Sequence, residues 1–236
     1  MTSQQPMRLA IIIPVLNEGA RIGATLTRLA PLRARGARVI VVDGGSSDAT
    51  VAKAGEAADR VIVAGRGRAV QMNAGARDPL AQDVDVLLFL HADTELPAEA
   101  DRAIFRALAD GPCCWGRFDV RIAGHHPLLP VIATLMNWRS RLTGICTGDQ
   151  AIFVTRAGFS ALDGFAPIAL MEDIEFSRRA RTLSAPAALR QRVTTSGRRW
   201  ERGGTLRTMV LMWRLRLAYF FGADPDDLAR RYREVR

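Results

Sequence analysis

The 236-residue sequence predicts an α/β fold with a mostly parallel central sheet and helices on both of its faces. Two observations carry this prediction. Short apolar runs alternate with segments of helical spacing through the first half of the chain, as in successive βαβ units. The most apolar run, Val86 to Leu90, has no polar residue for a solvent-facing side, so it suits a strand that is buried on both faces.

The remaining elements follow from apolar runs, helical spacing and turn residues. The predicted strands are Leu9–Leu16, Val39–Asp43, Arg60–Val63 and Val84–Leu90, with extended segments at Cys114–Ile122 and Ala151–Val154. The predicted helices are Ala20–Leu29, one from Asp48 with Ser47 as its N-cap, one from about Ala69, then Leu128–Leu142, Glu172–Arg181, Thr205–Phe221 and Asp226–Val235.

Composition narrows the class of protein. Hydrophobic residues make up 48% and charged residues 24%, as in ordinary globular domains. No apolar run reaches the roughly 18 residues of a membrane span, and the polar start of the chain lacks a signal-peptide core. We therefore expect a cytoplasmic protein, with peripheral membrane contact left open. The three cysteines, two of them adjacent, predict neither a disulfide framework nor a structural zinc site.

The net charge of +9 lies almost entirely in the last quarter of the chain. Residues 1–177 hold 18 basic and 19 acidic side chains, whereas residues 178–236 hold 15 and 5. Such a segment suits an anionic partner, either a membrane or a phosphorylated substrate. Nucleic acid is not expected, because only 6% of residues are aromatic and none interleave with the basic run as stacking residues.

Two candidate metal ligands, His91 and Asp93, end the most apolar strand. Residues i and i+2 of an extended chain point the same way, and ligands of parallel sheets bind beyond the carboxyl ends of the strands. Ala92 between them is small and keeps such a crevice open. The alternative is a solvated turn that only closes the strand.

The loops after the other strands carry polar residues that suit a nucleotide. Glu18 and Asp43 can accept hydrogen bonds from a base or ribose, and Gly44 allows close approach of the backbone. Arg66 and Arg68 can hold phosphate. The alternatives are a simple turn and a solvated loop. The dinucleotide glycine fingerprint is incomplete and does not follow the first strand, so NAD is disfavoured.

Four stretches, Ile12–Glu18, Val41–Thr50, Gly67–Ala76 and His91–Asp93, resemble in order and spacing the motifs of family 2 glycosyltransferases. The resemblance continues through Gly148-Asp149-Gln150, Met171-Glu172-Asp173 and Arg198-Arg199-Trp200. It implies a GT-A fold, a nucleotide-diphosphate sugar donor, a divalent cation (Mn or Mg) and an inverting transfer. On this basis residues 1–236 form one domain, with a donor half at about 8–95, an acceptor half at about 96–204 and C-terminal helices at 205–236.

The resemblance also implies roles for individual residues. The donor residues would be Pro14, Leu16 and Glu18 around the nucleoside, Asp43 and Gly44 at the base, Arg68 near the diphosphate, Ala92 between the metal ligands, and Arg198, Arg199 and Trp200 closing over the donor. The metal residues would be Asp93 and His91, the acceptor residues Gly148, Asp149 and Gln150, and the catalytic pair Asp173 and Glu172, with Asp173 as the base.

Two departures from the family pattern matter. His91 stands at the first acidic position of the metal motif, and imidazole suits Mn, Zn, Ni or Fe better than Mg. Ser196 stands where processive members carry Gln, so we expect a non-processive enzyme with a small-molecule or lipid acceptor. The His-Ala-Asp and Gly-Asp-Gln motifs resemble a subgroup linked to arsenosugars and other small glycosides.

Two other functions remain open from the sequence. A sugar-1-phosphate nucleotidyltransferase is also α/β with metal carboxylates, but the first strand–helix turn, Asn17 to Arg21, is poor in the glycine that this class requires. An inactive protein that binds nucleotide sugars or a membrane surface is the third alternative. The intact acidic pair Glu172-Asp173 argues against it.

The C-terminal segment 205–221 is apolar on two sides of the predicted helix. The broader stripe is predicted to face the core and consists of Leu206, Met209, Val210, Trp213, Leu217, Phe220 and Phe221. Leu211 and Leu215 are predicted on the outer side, and Arg207, Arg214 and Arg216 flank the two faces. The outer face would meet an anionic membrane surface, a second copy in a homodimer, or another layer of the domain.

Overall fold

The computed structural model describes residues 7–109 and 111–234, and within this part it leaves out the side chains of Arg199, Arg202, Arg233 and Glu234. The strands are β1 Leu9–Val15, β2 Arg38–Asp43, β3 Arg60–Val63, β4 Val86–Phe89, β5 Thr94–Glu95, β6 Trp115–Ala123, β7 Phe153–Thr155 and β8 Ala187–Ser196. The α-helices are α1 Ile22–Ala34, α2 Thr50–Gly55, α3 Arg68–Arg77, α4 Pro79–Gln82, α5 Ala100–Ala109, α6 Leu129–Thr143, α7 Arg156–Ala161, α8 Glu172–Ala180, α9 Arg198–Arg202, α10 Thr205–Phe220 and α11 Pro225–Glu234.

All of these strands join one sheet in the order β3-β2-β1-β4-β7-β6-β8-β5. Strands β3, β2, β1 and β4 are mutually parallel, as are β6 and β8, while β7 and β5 run antiparallel to their neighbours. The parallel block confirms the predicted α/β class. It also brings the carboxyl ends of β1, β2 and β4 to one edge, as ligand sites of such sheets require.

The central strands of the sheet are buried on both faces. Alternate residues of β1 enter different clusters, so that Ile11 and Ile13 face the layer that contains α1, while Ile12 faces α3. Strand β4 divides in the same way, with Leu88 on the first side and Phe89 on the second. This two-sided burial confirms what the uninterrupted apolar runs predicted.

Helix α3 lies unusually close to the sheet at Gly75. A Cβ atom at this position would lie 2.5 Å from Cγ2 of Ile12 and 2.9 Å from Cγ2 of Val42. One turn earlier, the buried Gln71 donates hydrogen bonds to the carbonyl oxygens of Val15 (2.8 Å) and Val42 (2.7 Å). These contacts fix the loop between β3 and α3 against the ends of β1 and β2.

The predicted N-cap at Ser47 is wrong. Helix α2 begins two residues after Asp48, and Asp48 rather than Ser47 supplies the local acceptor, because its carboxylate takes the backbone N–H of Thr50 at 3.0 Å. The same carboxylate accepts the N–H of Gly19 at 3.0 Å. Tertiary contacts between the loops after β1 and β2 therefore decide where the helix starts.

The predicted orientation of α10 is also wrong. Leu215 is buried and Leu211 is partly buried, in a small cluster with Leu170, Met171 and Leu228. The stripe that was predicted to face the core is instead largely exposed at Leu206, Val210, Trp213, Leu217, Phe220 and Phe221. Helix α10 packs on α11 and the segment before α8 through its narrower apolar side, whereas Met209 of the broader stripe packs against the main core.

Among the described residues, no helix is both long enough and apolar enough to span a bilayer.

Replacement of Gly75 by alanine should destabilise the fold by about 1–3 kcal/mol, because the added methyl group overpacks Ile12 and Val42. Urea unfolding followed by circular dichroism measures this loss. The control is Gly23→Ala in α1, where a Cβ atom meets nothing within 4 Å, and a better helix former should leave stability unchanged or raise it by up to about 1 kcal/mol. Equal stability of the two variants would contradict this account.

Candidate active site

A cleft of about 1120 Å³ opens at the edge where β1 and β4 end. It collects most of the residues that the sequence singles out: Pro14, Leu16, Glu18, Arg66, Arg68, His91, Ala92, Asp93, Asp149, Arg198 and Trp200. These residues come from positions that are far apart in the chain. The cleft also contains the new side chains Arg139 of α6 and Arg216 of α10, which the sequence reasoning did not assign to the site.

The loops after β1 and β2 hold each other in place. The side-chain oxygen of Asn17 accepts the N–H of Ser47 at 2.8 Å, and the N–H of Asn17 bonds to the hydroxyl of Ser46 at 2.8 Å. Asn17 has a φ of 55°, in the left-handed region that asparagine tolerates better than most residues. Glu18, whose N–H bonds to Thr50 Oγ1 at 2.8 Å, is thereby fixed at the rim of the cleft.

Asp43 and Gly44 do not line the cleft. Asp43 is only 2% exposed, and its carboxylate accepts hydrogen bonds from the N–H groups of Gly45 and Ser46, both at 2.9 Å, and from the Ser46 hydroxyl. Gly44 lies against Gln71, whose side-chain atoms would be 3.1 Å from an added Cβ. Both residues organise the turn after β2, and direct contact of either one with a donor stays a prediction.

His91 connects the end of β4 to the 3-10 turn Gly148–Gln150. Its Nδ1 lies 3.3 Å from Oδ1 of Asp149, and its ring passes so close to Gly148 that a Cβ there would lie 2.4 Å from Nε2. Ala92 is fixed from the other side, because its carbonyl oxygen accepts the Thr25 hydroxyl at 2.6 Å. The polar end of β4 is therefore positioned by groups from the first and second halves of the chain.

The surroundings of Asp93 favour an added positive charge. Burial raises the pKa of Asp93 above its ordinary value; His91 opposes this rise, and the neighbouring carboxylates of Asp149 and Glu18 add to it. A nearby cation therefore stabilises the charged form of this carboxylate more than it would stabilise that of a solvated carboxylate.

The candidate metal ligands suit a cation that is bound partly by the protein and partly by a substrate. Among the described residues, no group of three or more His, Cys, Asp or Glu side chains is arranged to bind a metal. Magnesium-type ions are commonly held by only one or two carboxylates together with substrate phosphates. His91 and Asp93 therefore fit a divalent cation completed by a diphosphate.

The two acidic residues at the start of α8, Glu172 and Asp173, make different contacts. The buried Glu172 places Oε1 3.9 Å from Nη1 of Arg68, while Asp173 accepts the N–H of Gly148 through Oδ2 at 2.8 Å. Burial and the adjacent carboxylate of Asp173 raise the pKa of Glu172. Both acids line a small cavity of about 10 Å³ behind His91 and Gly148, rather than the large cleft.

Arg68 experiences the summed field of these acids. Although partial burial opposes its charge, the carboxylates of Glu172, Asp149, Asp173 and Asp93 raise its pKa. Its guanidinium is therefore drawn to the acidic floor of the cleft while part of the side chain remains accessible.

Gln150 does not face the cleft. It is fully buried. Its side-chain oxygen accepts the N–H of Thr147 at 3.3 Å, and its side-chain nitrogen lies at hydrogen-bonding distance from the carbonyl oxygen of Phe118 and from Asn137. The sequence expectation that it contacts the acceptor is therefore corrected. Gln150 holds the 3-10 turn in place, and Asp149 in the same turn is the residue that reaches the cleft.

The late Arg-Trp segment forms α9 beside the cleft. Arg198 places Nε 3.2 Å from the hydroxyl of Ser196, the residue that stands where processive relatives carry glutamine. Trp200 packs partly against the main core. The side chain of Arg199, a predicted donor residue, lies outside the described part of the chain.

Comparison with known protein families finds one match. The sequence profile of Glycosyl transferase family 2 matches residues 10–159, which is more than half of the chain. Comparison with curated proteins finds no significant match.

Solved structures of GT-A glycosyltransferases share the fold. TarS 1-349 from S. aureus aligns with a TM-score of 0.63 and 16% sequence identity over 81% of this chain. A mannosyltransferase from Pyrobaculum calidifontis, solved with GDP-Man and Mn²⁺, aligns with a TM-score of 0.60 and 20% sequence identity over 80% of this chain. Glucosyl-3-phosphoglycerate synthase from Mycobacterium tuberculosis, solved with Mn²⁺ and UDP, gives 0.55 at 19% over 80% of this chain and 71% of its own. This chain spans 61% of TarS 1-349 and 57% of the mannosyltransferase.

Proposed function

The chain belongs to glycosyl transferase family 2, and from this premise we propose that it moves a sugar from a nucleoside-diphosphate donor to an acceptor hydroxyl, with inversion and without processivity. The observation that carries the proposal is the cleft that joins the ends of β1 and β4, Arg68 and Asp149. That arrangement offers apolar side chains, a guanidinium group suited to phosphate, and carboxylates within one cleft.

The donor would occupy the β1 side of the cleft. Pro14 and Leu16 form the apolar rim against which a base can pack, and Glu18 offers an acceptor to base or ribose. Arg68 would bind the diphosphate, since guanidinium pairs with phosphate through two parallel hydrogen bonds. Arg198 and Trp200 would border the donor from α9.

Asp93 and His91 would hold the divalent cation, Mn or Mg, together with the diphosphate. The bound cation supplies charge neutralisation for the departing nucleoside diphosphate. His91 itself is held in position between Asp149 and Gly148. An imidazole in the pair favours Mn over Mg.

The acceptor would enter near Asp149 and Gly148, with Asp173 as the base that takes the proton of the attacking hydroxyl. Two backbone N–H groups, from Gly148 and Ile174, each bond to one oxygen of Asp173 at 2.8 Å, so its carboxylate is held in a fixed orientation. Asp149 shares the acceptor side and lines the cleft directly. A base contributes about 10²–10⁴-fold to such transfers.

We also propose that the face beside the cleft docks on an anionic membrane. Helix α6 exposes Val131, Leu135, Trp138 and Leu142 in one stripe, and α10 exposes a second stripe that includes Trp213 and Phe220. Both helices line the cleft, through Arg139 and Arg216 among others, so the two stripes flank it. The charge is complementary, because residues 178–236 carry ten more basic than acidic side chains, and each contributes about 1 kcal/mol near an anionic surface.

The donor and metal assignments are tested with UDP-, GDP- and dTDP-sugars in the presence of Mn or Mg. Release of nucleoside diphosphate identifies a transferase. Formation of nucleoside triphosphate and sugar 1-phosphate when pyrophosphate is added would identify a nucleotidyltransferase, and donor binding without either reaction would identify a binding protein. Asp93→Ala should lower metal-dependent turnover at least about a hundredfold, since several kcal/mol of charge stabilisation are lost. Asp83→Ala, at an exposed position outside the cleft, is the control; full metal-dependent activity of Asp93→Ala would refute the assignment.

Asp173→Asn should leave donor binding unchanged and reduce turnover by about two to four orders of magnitude, because the base is lost while the amide oxygen can still accept one of the two backbone N–H groups. Donor affinity is measured by calorimetry and turnover by release of nucleoside diphosphate. Glu172→Gln and Asp149→Asn are the comparison variants. A larger turnover loss in either of them would transfer the role of base to that residue.

Leu217→Glu and Phe220→Glu should abolish co-sedimentation with vesicles that contain phosphatidylserine, because each puts a negative charge on the exposed α10 stripe. Binding of the unaltered protein should weaken with salt. Val63→Glu, at an exposed position on β3, is the control for the charge change. Sedimentation equilibrium is the second measurement: a dimer that these substitutions dissociate, without vesicle binding, would assign the face to self-association instead.

A further inference from the structure

Two arginines in the cleft have no role in the transfer described above. Arg139 projects from α6 and Arg216 from α10, and both line the cleft. The guanidinium groups of the two residues are close enough to repel one another electrostatically. Two like charges in one wall are unfavourable unless something else satisfies them.

Neither guanidinium forms an ion pair or a side-chain hydrogen bond with any residue that the structure describes. Buried nitrogen atoms without a partner are Nε and Nη2 of Arg139 and Nε of Arg216. A buried donor without an acceptor is costly, and more so when the group is charged. Such a feature is expected where a ligand supplies the missing acceptor.

Both groups remain charged in this setting. Burial, and to a smaller degree the neighbouring charge of Arg216, lowers the pKa of Arg139 to about 10. Burial also lowers the pKa of Arg216, while Asp173 and Asp149 oppose that shift. At neutral pH the wall between α6 and α10 therefore holds two positive charges.

The position of the pair assigns it to the acceptor. Asp173 acts electrostatically on both Arg139 and Arg216, and Asp149 acts on Arg216. The same two carboxylates act on Arg68, which also lies in the field of Glu172 and Asp93. We propose that Arg139 and Arg216 bind a phosphate group of the acceptor, so that its hydroxyl is held beside Asp149 and Asp173. Guanidinium forks match phosphate oxygens, and two positive charges balance a phosphate monoester.

This inference rests on the proposed transfer, but its test does not need turnover. Inorganic phosphate is titrated by calorimetry into protein saturated with whichever of UDP or GDP binds, in the presence of Mg. Phosphate should still bind, and Arg139→Gln and Arg216→Gln should each weaken it about tenfold or more. The matched control is Arg214→Gln, which removes the same charge from an exposed position of α10 and should leave phosphate binding unchanged.

Three results would overturn the proposal. Phosphate that no longer binds once nucleoside diphosphate is present would assign the arginines to the donor. Unchanged phosphate affinity in both variants would show that Arg139 and Arg216 do not bind phosphate. An equal loss of phosphate affinity in Arg214→Gln would show that binding depends only on nonspecific positive charge. A protein that binds phosphate through these arginines but neither UDP nor GDP would refute the proposed transfer and not the anion site.

Stability gives an independent measurement. Arg139→Met should raise the melting temperature by a few degrees, because it removes an unpaired buried charge and keeps side-chain volume. A lower melting temperature would mean that Arg139 supports the fold, which contradicts a ligand role.

The source of the phosphate is separated by competition. Displacement of bound inorganic phosphate by glycerol 3-phosphate, but not by glycerol, indicates a soluble phosphorylated acceptor. Displacement by vesicles that contain phosphatidic acid, but not by pure phosphatidylcholine vesicles, indicates a lipid headgroup. Failure of both competitors would contradict the assignment to an acceptor.

Discussion

The central position of β4 in the sheet is the constraint on which the site depends. This strand pairs in parallel with β1 and antiparallel with β7, and all of its side chains are buried. A strand held on both edges and both faces cannot shift its register without exposing apolar surface. The polar residues that follow it, His91 and Asp93, are therefore delivered to a fixed place beside the end of β1.

Opposite charges meet around that fixed point. The acids Asp93, Asp149, Glu172 and Asp173 come from the ends of β4, the 3-10 turn and α8, and Arg68 is drawn to them. Arg139 and Arg216, which line the same cleft, lack such partners among the described residues. The cleft thus contains a cation, Arg68, that protein carboxylates balance, and two buried guanidinium groups without a protein acceptor, a difference that fits the proposed donor and acceptor sides.

The C-terminal helices show how an amphipathic pattern can mislead. The sequence predicts the helical period of α10 correctly, but it wrongly predicts that the broader apolar stripe faces the core. Periodicity gives the angular separation of two faces and contains no information about which neighbour covers each of them. In the structure α11 and residues 170–171 cover Leu215, while Trp213 and Leu217 remain exposed next to the cleft.

The sequence by itself determined the α/β class and the first four strands, because apolar runs and turn residues act over a few neighbours along the chain, and its motifs indicated the family. It also brought His91, Asp93 and Asp149 into consideration, and the structure places all three in one cleft. It did not predict the order of the strands in the sheet or the strands β5 and β8. Only the tertiary structure decided that Gln150 and Asp43 face inward to hold turns, that Asp173 lies behind Gly148, and that Arg139 and Arg216 share a wall. These outcomes depend on contacts between segments distant in sequence, whose side-chain directions no local pattern encodes.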